Sequence, residues 1–181
     1  MRTSGGTGGF VKPPTGRTLM LGGGGALTAG AQTAGGLRLY AVNIPFQTSF
    51  QTLGFFVSGA GDAASTMTPV LFAVAANGDP GVPIYTGNAL STAAGGLVSG
   101  GPAGVFPAGP LWVGGLCLSP GVAPTVSNVG RLDDDPRGPF NPTDTLASAS
   151  LFPFQSGLAA VPSPWAGTYI ANAAPLLYVA L

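Results

Sequence analysis

Any acid–base or metal chemistry in this chain would depend on aspartate. The sequence has no histidine and no glutamate, so its six acidic residues are all aspartates. Three of them are consecutive, Asp133, Asp134 and Asp135, and are followed by Pro136 and Arg137. Oxygen ligands suit calcium, but consecutive carboxylates lack the alternating spacing of a calcium-binding loop. We interpret the triplet as an exposed turn whose charge is offset by neighbouring arginines, and we expect no metal site.

The one cysteine, Cys117, is a poor candidate for a nucleophile. It lies in the apolar run LWVGGLCLS, where a small buried hydrophobic residue is the usual interpretation. Without histidine, neither a Ser-His nor a Cys-His pair can form. One cysteine also excludes an internal disulfide and a multi-cysteine metal site. The residue types therefore predict a non-enzymatic protein without a cofactor.

Two tryptophans could stack on sugar rings. Trp112 lies within an apolar strand pattern and is expected in the core, whereas Trp165, between PSP and AG, is the better surface candidate. We take Trp165 as a candidate carbohydrate contact. With a single lysine, Lys12, and no basic stripe, we do not expect nucleic acid as a partner.

The low charge indicates a protein that works within an assembly. Charged residues make up 7% of the chain and the formal net charge is zero, while 45% of the residues are hydrophobic. Such a surface gives little electrostatic repulsion between molecules, so we expect a homo-oligomer. The alternative is that neutral Ser, Thr, Gly and Asn side chains keep an isolated monomer soluble. Prolines and paired glycines interrupt every apolar window of about 20 residues, so we expect no membrane span, and no secretory signal follows Arg2.

Residues 1–36 differ from the rest of the chain and are predicted to form an extended glycine-rich arm. The runs GGTGG, GGGG and AGG leave too little apolar surface for this region to fold alone. It is either a passive leader or an arm that becomes ordered by docking on a neighbouring subunit. In the second case its anchors would be Phe10, Val11, Arg17, Leu19, Met20 and Leu21.

From Leu37 onward the pattern is that of short strands joined by turns rich in glycine and proline. No window of 11 or more residues has helical spacing free of Gly or Pro. The segment FAVAANGDPGVPIYTG places a strong hairpin signal, Asn77-Gly78, between two apolar runs. We predict an all-β, antiparallel, jelly-roll-like sandwich over residues 37–181, with a loop-rich insertion at about 133–175. In LRLYAVNIPF the apolar residues leave a single register, which predicts a bulge or bend near 43–45.

This strand pattern resembles a jelly-roll module of virion structural proteins of tailed bacteriophages, which occurs in tail fibres and head-decorating proteins. The resemblance covers roughly residues 36–132, with a weaker echo in the final strand, and departs at Ala108, which separates Pro107 from Gly109. Its motifs are Arg38-Leu39-Tyr40, Pro45-Phe46, Asn77-Gly78, Pro80-Gly81, and Ala108-Gly109 before Leu111-Trp112.

The resemblance implies a non-enzymatic protein mounted on a phage particle. The absence of repeats favours a capsid decoration or head-fibre protein over a tail fibre with a long shaft. The alternatives are a tail fibre or tail-tip module that contacts host surface carbohydrate, and a bacterial surface carbohydrate-binding module. The implied partners are a major capsid or tail protein and further copies of the chain, as a trimer by analogy with the family.

Overall fold

A computed structural model describes residues 18–21, 27–129, 151–171 and 174–181. All regular secondary structure in these ranges is β-strand. The strands are β1 Thr18–Leu21, β2 Leu27–Ala31, β3 Gly36–Ile44, β4 Thr48–Phe50, β5 Thr52–Gly59, β6 Thr66–Val74, β7 Pro80–Thr86, β8 Leu90–Ser91, β9 Gly96–Gly100, β10 Gly104–Phe106, β11 Gly109–Leu118, β12 Thr125–Val129, β13 Leu151–Gln155, β14 Thr168–Ala171, β15 Ala174–Pro175 and β16 Leu177–Ala180.

The strands form two seven-stranded antiparallel sheets. Sheet A has the order β1-β16-β5-β12-β15, with β2 paired to β12 and β9 paired to β5. Sheet B has the order β14-β13-β3-β11-β6-β7, with β8 paired to β6, and a small separate sheet joins β4 to β10. The all-β antiparallel sandwich predicted from the sequence is therefore confirmed.

The main hydrophobic core lies between the two sheets. Leu53 and Phe55 of β5 face Tyr40 and Val113 of sheet B in one cluster of buried side chains. Gly115 of β11 leaves the space that the Phe55 ring occupies, because a Cβ at this position would lie 2.6 Å from the Phe55 Cζ atom. Leu53, Phe55 and Val57 of β5 alternate along the strand and are all buried, because one face of the strand points into this core.

A second cluster covers the outer face of sheet B. Leu39, Phe72 and Trp112 form part of it, and Leu158 and Val161 of the segment between β13 and β14 pack against it. The central strands β3, β6 and β11 are thus buried on both faces, which is why their apolar residues do not follow a two-residue period. Strand β3 runs unbroken from Gly36 to Ile44, and the chain bends after it at 45–46.

The N-terminal boundary of the sandwich differs from the sequence prediction. Strand β1 pairs with β16 and strand β2 pairs with all of β12, so these parts of the predicted arm are strands of sheet A. The local sequence does not indicate these strands, because glycine runs flank them and their pairing partners lie more than 90 residues away in the sequence. Residues 1–17 lie outside the described residues.

The predicted loop-rich insertion also contains strands. Residues 130–150 lie outside the described residues, but β13, β14 and β15 all fall between 151 and 175. Strand β13 pairs with β3, and β14 then extends sheet B as its edge. Pro153 within β13 lowers the strand signal of this segment, although it lies opposite Tyr169 of the edge strand.

Candidate functional site

Few charged side chains are available for chemistry in the described part of the chain. Its charged side chains are Arg38, Asp62 and Asp79, whereas the Asp133–Asp135 triplet lies outside the described residues. Within the described ranges no three His, Cys, Asp or Glu residues come together in a group that could hold a metal ion. Those ranges also contain no helix that is long and apolar enough to cross a membrane.

The turn between β6 and β7 is held by its own backbone and side chains. The Ala75 N–H donates to the Asp79 carbonyl at 2.8 Å, and the Gly78 N–H donates to the Ala75 carbonyl at 2.9 Å. Gly78 has a φ of 88°, a conformation that L side chains rarely adopt. The Asn77 amide donates to the Asp79 carboxylate at 2.7 Å. The Asn-Gly-Asp sequence therefore forms the tight reversal that its composition predicts.

Two aromatic side chains from distant strands contact this turn, and the backbone of Trp165 contacts the strand that follows it. The Trp112 indole donates from Nε1 to the Gly78 carbonyl at 2.9 Å. The Tyr169 hydroxyl donates to the Asp79 carboxylate. The Trp165 backbone N–H donates to the carbonyl of Gly81 at 3.1 Å. This bond joins the segment between β13 and β14 to the start of β7. We call Trp112, Trp165, Tyr169 and Asp79 the turn cluster.

The environment of Trp165 fits packing better than an open sugar platform. Its ring lies edge-to-face against Tyr169 at 5.7 Å between centroids, and it packs on the outer cluster of sheet B. Its Nε1 atom is buried without a hydrogen-bond partner, and it lies close to Gly167, where a Cβ would be 2.8 Å away. The carbohydrate contact at Trp165 stays a prediction. The sequence did not link Asp79 to Tyr169, because no local pattern joins two residues that are 90 positions apart.

Arg38 is a buried cation at one end of the sandwich. Its side chain is 6% exposed, donates from Nη2 to the Thr33 hydroxyl at 2.9 Å, and lies over the Phe154 ring at 5.6 Å. Its Nε has no hydrogen-bond partner. Burial lowers the pKa of Arg38 from its usual value, while the neighbouring Cys117 acts in the opposite direction. These contacts attach the residues that follow β2 to sheet B.

Cys117 is fully buried, as the sequence predicted. Burial raises the pKa of its thiol to about 11, although the positive charge of Arg38 lowers it somewhat. A nucleophilic cysteine needs a thiolate near neutral pH, and thiol burial in apolar surroundings has the opposite effect. Burial also raises the pKa of the Tyr40 hydroxyl, so this group stays protonated near neutral pH. Its oxygen accepts a hydrogen bond from the Leu177 N–H at 3.0 Å.

The Asp62 carboxylate serves a loop contact. It accepts a hydrogen bond from the Val122 N–H, and the Asp62 N–H donates to the Val122 carbonyl at 2.9 Å. Ser65 Oγ lies 2.8 Å from Ser119 Oγ and 3.0 Å from the same carbonyl. The Thr92 backbone N–H donates to the Ser65 carbonyl. The Thr92 side-chain hydroxyl is buried and has no hydrogen-bond partner. These bonds join the loops at the end of the sandwich opposite the turn cluster.

The described residues expose several large apolar side chains and few charged ones. Seven large apolar side chains are between 41% and 61% exposed, whereas the charged side chains outside the core are Asp62 and Asp79. Phe56 and Leu97 lie directly opposite each other on neighbouring strands of sheet A. The ring of Tyr178 lies 6.5 Å from that of Phe56. We call Phe56, Leu97 and Tyr178 the sheet A patch.

The predicted arm anchors fall into two groups. Phe10, Val11 and Arg17 lie outside the described residues. Leu19, Met20 and Leu21 belong to β1 and stand opposite Val179, Tyr178 and Leu177 of β16 in the ladder. Backbone pairing within the chain therefore accounts for the position of the second group.

Comparison with known proteins found no matching family model, no matching curated protein and no matching solved structure. The resemblance to phage virion proteins therefore depends on the sequence motifs alone. What the geometry adds is the surface: two carboxylates, an exposed apolar patch and loops fixed by hydrogen bonds.

Proposed function

We propose that this chain is a non-enzymatic structural protein of a tailed-bacteriophage particle, a capsid decoration or head-fibre protein attached to the particle surface. The observation that carries the proposal is the surface of the described residues, where seven large apolar side chains are exposed and both carboxylates, Asp62 and Asp79, are partly buried. Apolar surface of this kind marks interaction sites in proteins, because its burial against a partner is favourable. The chemistry of the described residues is consistent with a role that involves no catalysis.

The architecture supports a passive mechanical role. Both faces of the central strands of sheet B are covered, and hydrogen bonds between side chains and backbone fix the turn of 75–79 and the loop at Asp62. Loops fixed in this way are suited to presenting a rigid surface to a neighbour. The partners would be the major capsid protein and further copies of this chain.

Immunogold labelling of purified particles tests the proposal. Antibodies raised against the recombinant chain are applied to phage particles purified by density gradient from cultures of the source organism, with pre-immune serum as the control. We expect gold on the capsid surface and the chain in the particle fractions. If the chain is found only in soluble fractions, the proposal is wrong.

The second candidate is a tail fibre or tail-tip module that contacts host surface carbohydrate. The observation that favours it is the half-exposed Trp165 beside Tyr169 at one end of the sandwich, since aromatic rings are a common surface for sugars. In the same experiment gold would then label the tail. Binding of the chain to an array of bacterial surface polysaccharides, with loss of binding in Trp165→Ala, would support this candidate over the first.

A further inference from the structure

We propose that Asn77 is a site of deamidation that the folded turn between β6 and β7 suppresses, so that the reaction proceeds only when this turn opens. This chemistry goes beyond the proposed role in a particle and does not depend on it. Asn77 is exposed and is followed by Gly78. The other asparagines of the chain are followed by Ile, Ala, Val or Pro, so Asn77 is the one asparagine that precedes a glycine.

The reaction joins the side chain of an asparagine to the backbone nitrogen of the next residue. The Gly78 N–H gives its proton to hydroxide, and the nitrogen attacks Cγ of Asn77. The Cγ–Nδ2 bond then breaks, and ammonia leaves after it takes a proton from water. The product is a succinimide ring, which water opens at either carbonyl carbon to leave aspartate or isoaspartate at position 77. Glycine favours the attack because it has no Cβ to obstruct the nitrogen.

The folded turn holds the attacking nitrogen in the wrong direction. The Gly78 N–H donates to the Ala75 carbonyl at 2.9 Å. In the succinimide, Cγ of Asn77 takes the place on the nitrogen that this hydrogen occupies. The hydrogen bond to Ala75 must therefore break, and the peptide between Asn77 and Gly78 must rotate, before the ring can close. The bond also keeps the proton on the nitrogen, because it stabilises the neutral form.

The asparagine side chain is held at both ends by one residue. Its Nδ2 donates to the Asp79 carboxylate at 2.7 Å, and its Oδ1 accepts a hydrogen bond from the Asp79 N–H at 3.2 Å. The second bond alone would favour the attack, because it stabilises the negative charge that develops on Oδ1. Together, however, the two bonds fix the rotation of the amide group. We expect this restraint to decide the rate, because the ring requires a bond between Cγ and the Gly78 nitrogen whatever the charge on Oδ1.

Contacts from distant strands keep the turn closed. The Trp112 indole donates from Nε1 to the Gly78 carbonyl at 2.9 Å, and the Tyr169 hydroxyl donates to the Asp79 carboxylate. Gly78 is buried as a result, although its neighbour Asn77 is exposed. Opening of the turn has to break bonds made by β11 and β14, so it is rarer than the motion of a free loop.

Deamidation would weaken the turn in which it occurs. The amide that donates to Asp79 becomes a carboxylate, and two carboxylates at hydrogen-bond distance repel each other. Asn77→Asp imitates this product and should lower the midpoint of thermal unfolding more than Asn88→Asp, which makes the same charge change at another exposed asparagine. Equal midpoints in the two variants would contradict this consequence.

Peptide mapping by mass spectrometry tests the protection. The unmodified full-length chain is incubated at pH 8 in buffer and, in parallel, in guanidinium chloride that unfolds it. The peptide that contains Asn77 is then separated by chromatography into its asparagine, aspartate and isoaspartate forms. We expect deamidation in the folded chain to be at least about tenfold slower than in the unfolded chain. Equal rates would show that the turn gives no protection, and the proposal would be wrong.

Two variants with similar expected losses of stability separate opening of the turn from unfolding of the whole chain. Trp112→Phe removes the donor to the Gly78 carbonyl, whereas Gly115→Ala acts in the core, on a residue that is paired with Pro69. Neither changes the sequence around Asn77, so both should react like the unmodified chain in guanidinium chloride. In buffer we expect Trp112→Phe to deamidate at least about threefold faster than Gly115→Ala.

A second turn variant guards against a failure of Trp112→Phe to fold, which circular dichroism would detect. Tyr169→Phe keeps the ring and removes the donor to the Asp79 carboxylate. Faster deamidation in either turn variant than in Gly115→Ala supports the proposal. Equal rates in the folded variants would mean that the turn does not control the reaction. A fastest reaction in Gly115→Ala would assign it to unfolding of the whole chain, and either result overturns the proposal.

Discussion

At the scale of single residues, the turn between β6 and β7 depends on a hydrogen bond from a strand 34 residues away. Trp112 is fully buried and donates from Nε1 to the Gly78 carbonyl. Trp112→Phe keeps a ring but leaves this carbonyl without its donor, which should lower the free energy of unfolding by about 1–3 kcal/mol, beyond the loss of packing. Urea unfolding measures the change. The matched control is Trp165→Phe, whose indole Nε1 has no partner to lose; an equal loss in both variants would contradict the role of the hydrogen bond.

A glycine in the core sets the distance between the two sheets. A Cβ at position 115 would lie 2.6 Å from the Phe55 ring and 3.0 Å from the Met67 methyl. Phe55 and Met67 are both fully buried and cannot move into solvent. We expect Gly115→Ala to lower the free energy of unfolding by about 1–3 kcal/mol through overpacking, measured by urea denaturation. In Gly115→Ala/Phe55→Leu the smaller side chain should recover part of the loss, and a double variant that is no more stable than Gly115→Ala would contradict this cause.

Buried Cys117 and Tyr40 make the fold sensitive to alkali. The pKa of the Cys117 thiol is about 11 in the folded protein, against 9.0 for an ordinary thiol, so the folded state holds its proton more tightly than the unfolded state. Stability from this group is therefore complete below about pH 9 and is lost as the pH rises toward 11. Burial raises the pKa of Tyr40 and acts in the same direction. Thermal unfolding between pH 8 and pH 11 should show a falling midpoint, and the fall should be smaller in Cys117→Ala. Equal slopes would show that the thiol does not contribute.

At the scale of elements, strand β2 and the residues that follow it make buried contacts that stabilise the sandwich. Strand β2 pairs along the whole of β12, and its neighbour Gln32 donates to buried Asn128 at 3.1 Å. Residues after β2 also satisfy the Arg38 guanidinium. Deletion of 2–17 should leave the unfolding transition unchanged. Deletion of 2–33 should destabilise the fold by several kcal/mol, because it leaves Arg38 and Asn128 buried without partners.

Thermal unfolding of the two truncated proteins checks this prediction. Deletion of 2–21, which removes β1 but keeps β2, provides an intermediate step. If deletion of 2–33 has no more effect than deletion of 2–17, then β2 does not contribute to the stability of the sandwich. The glycine-rich sequence of residues 1–36 predicts an arm outside the sandwich, whereas the pairing of β2 predicts that its removal destabilises the fold, and this series decides between the two.

The elements that could be predicted from the sequence are those with one buried face or a strong local turn. The Asn77-Gly78 pair identified the β6–β7 reversal. The apolar run through Cys117 identified β11 and its buried tryptophan. In each case a few neighbouring residues contain the whole signal, since a strand with one buried face has a period of two.

The elements that were missed depend on long-range contacts. Strands β1 and β2 lie between glycine runs, and their partners are at the other end of the chain or beyond its middle. The segment after β13 looks like an irregular loop, yet Leu158 and Val161 cover sheet B with it. The turn cluster joins residues 79, 112, 165 and 169, a set that only the folded topology brings together. No periodicity can predict such contacts, because tertiary packing and not local preference fixes them.

At the scale of the whole molecule, the first and the last described strands meet in one sheet. Strand β1 pairs with β16 over four residues, and the pair of Thr18 and Ala180 places the first residue of β1 beside the last residue of β16. The sandwich is therefore closed by contacts between its N-terminal and C-terminal strands. This arrangement makes the topology testable by changing the order of the strands along the chain.

A circular permutant provides that test. The permutant begins at Gly95, continues to Leu181, passes through a linker of about four Gly and Ser residues to Thr18, and ends at Ala94. Antiparallel neighbours such as β16 and β1 can be joined by a short hairpin connection, and the new ends fall in the exposed turn at 93–95. If β1 lies beside β16 as described, the permutant should keep its far-ultraviolet β spectrum and a free energy of unfolding within about 1–2 kcal/mol of the unmodified chain minus residues 1–17. Co-expression of fragments 18–94 and 95–181 controls for the break itself. A folded fragment pair together with an unfolded permutant would mean that the linker cannot join the two ends, and that β1 does not lie beside β16.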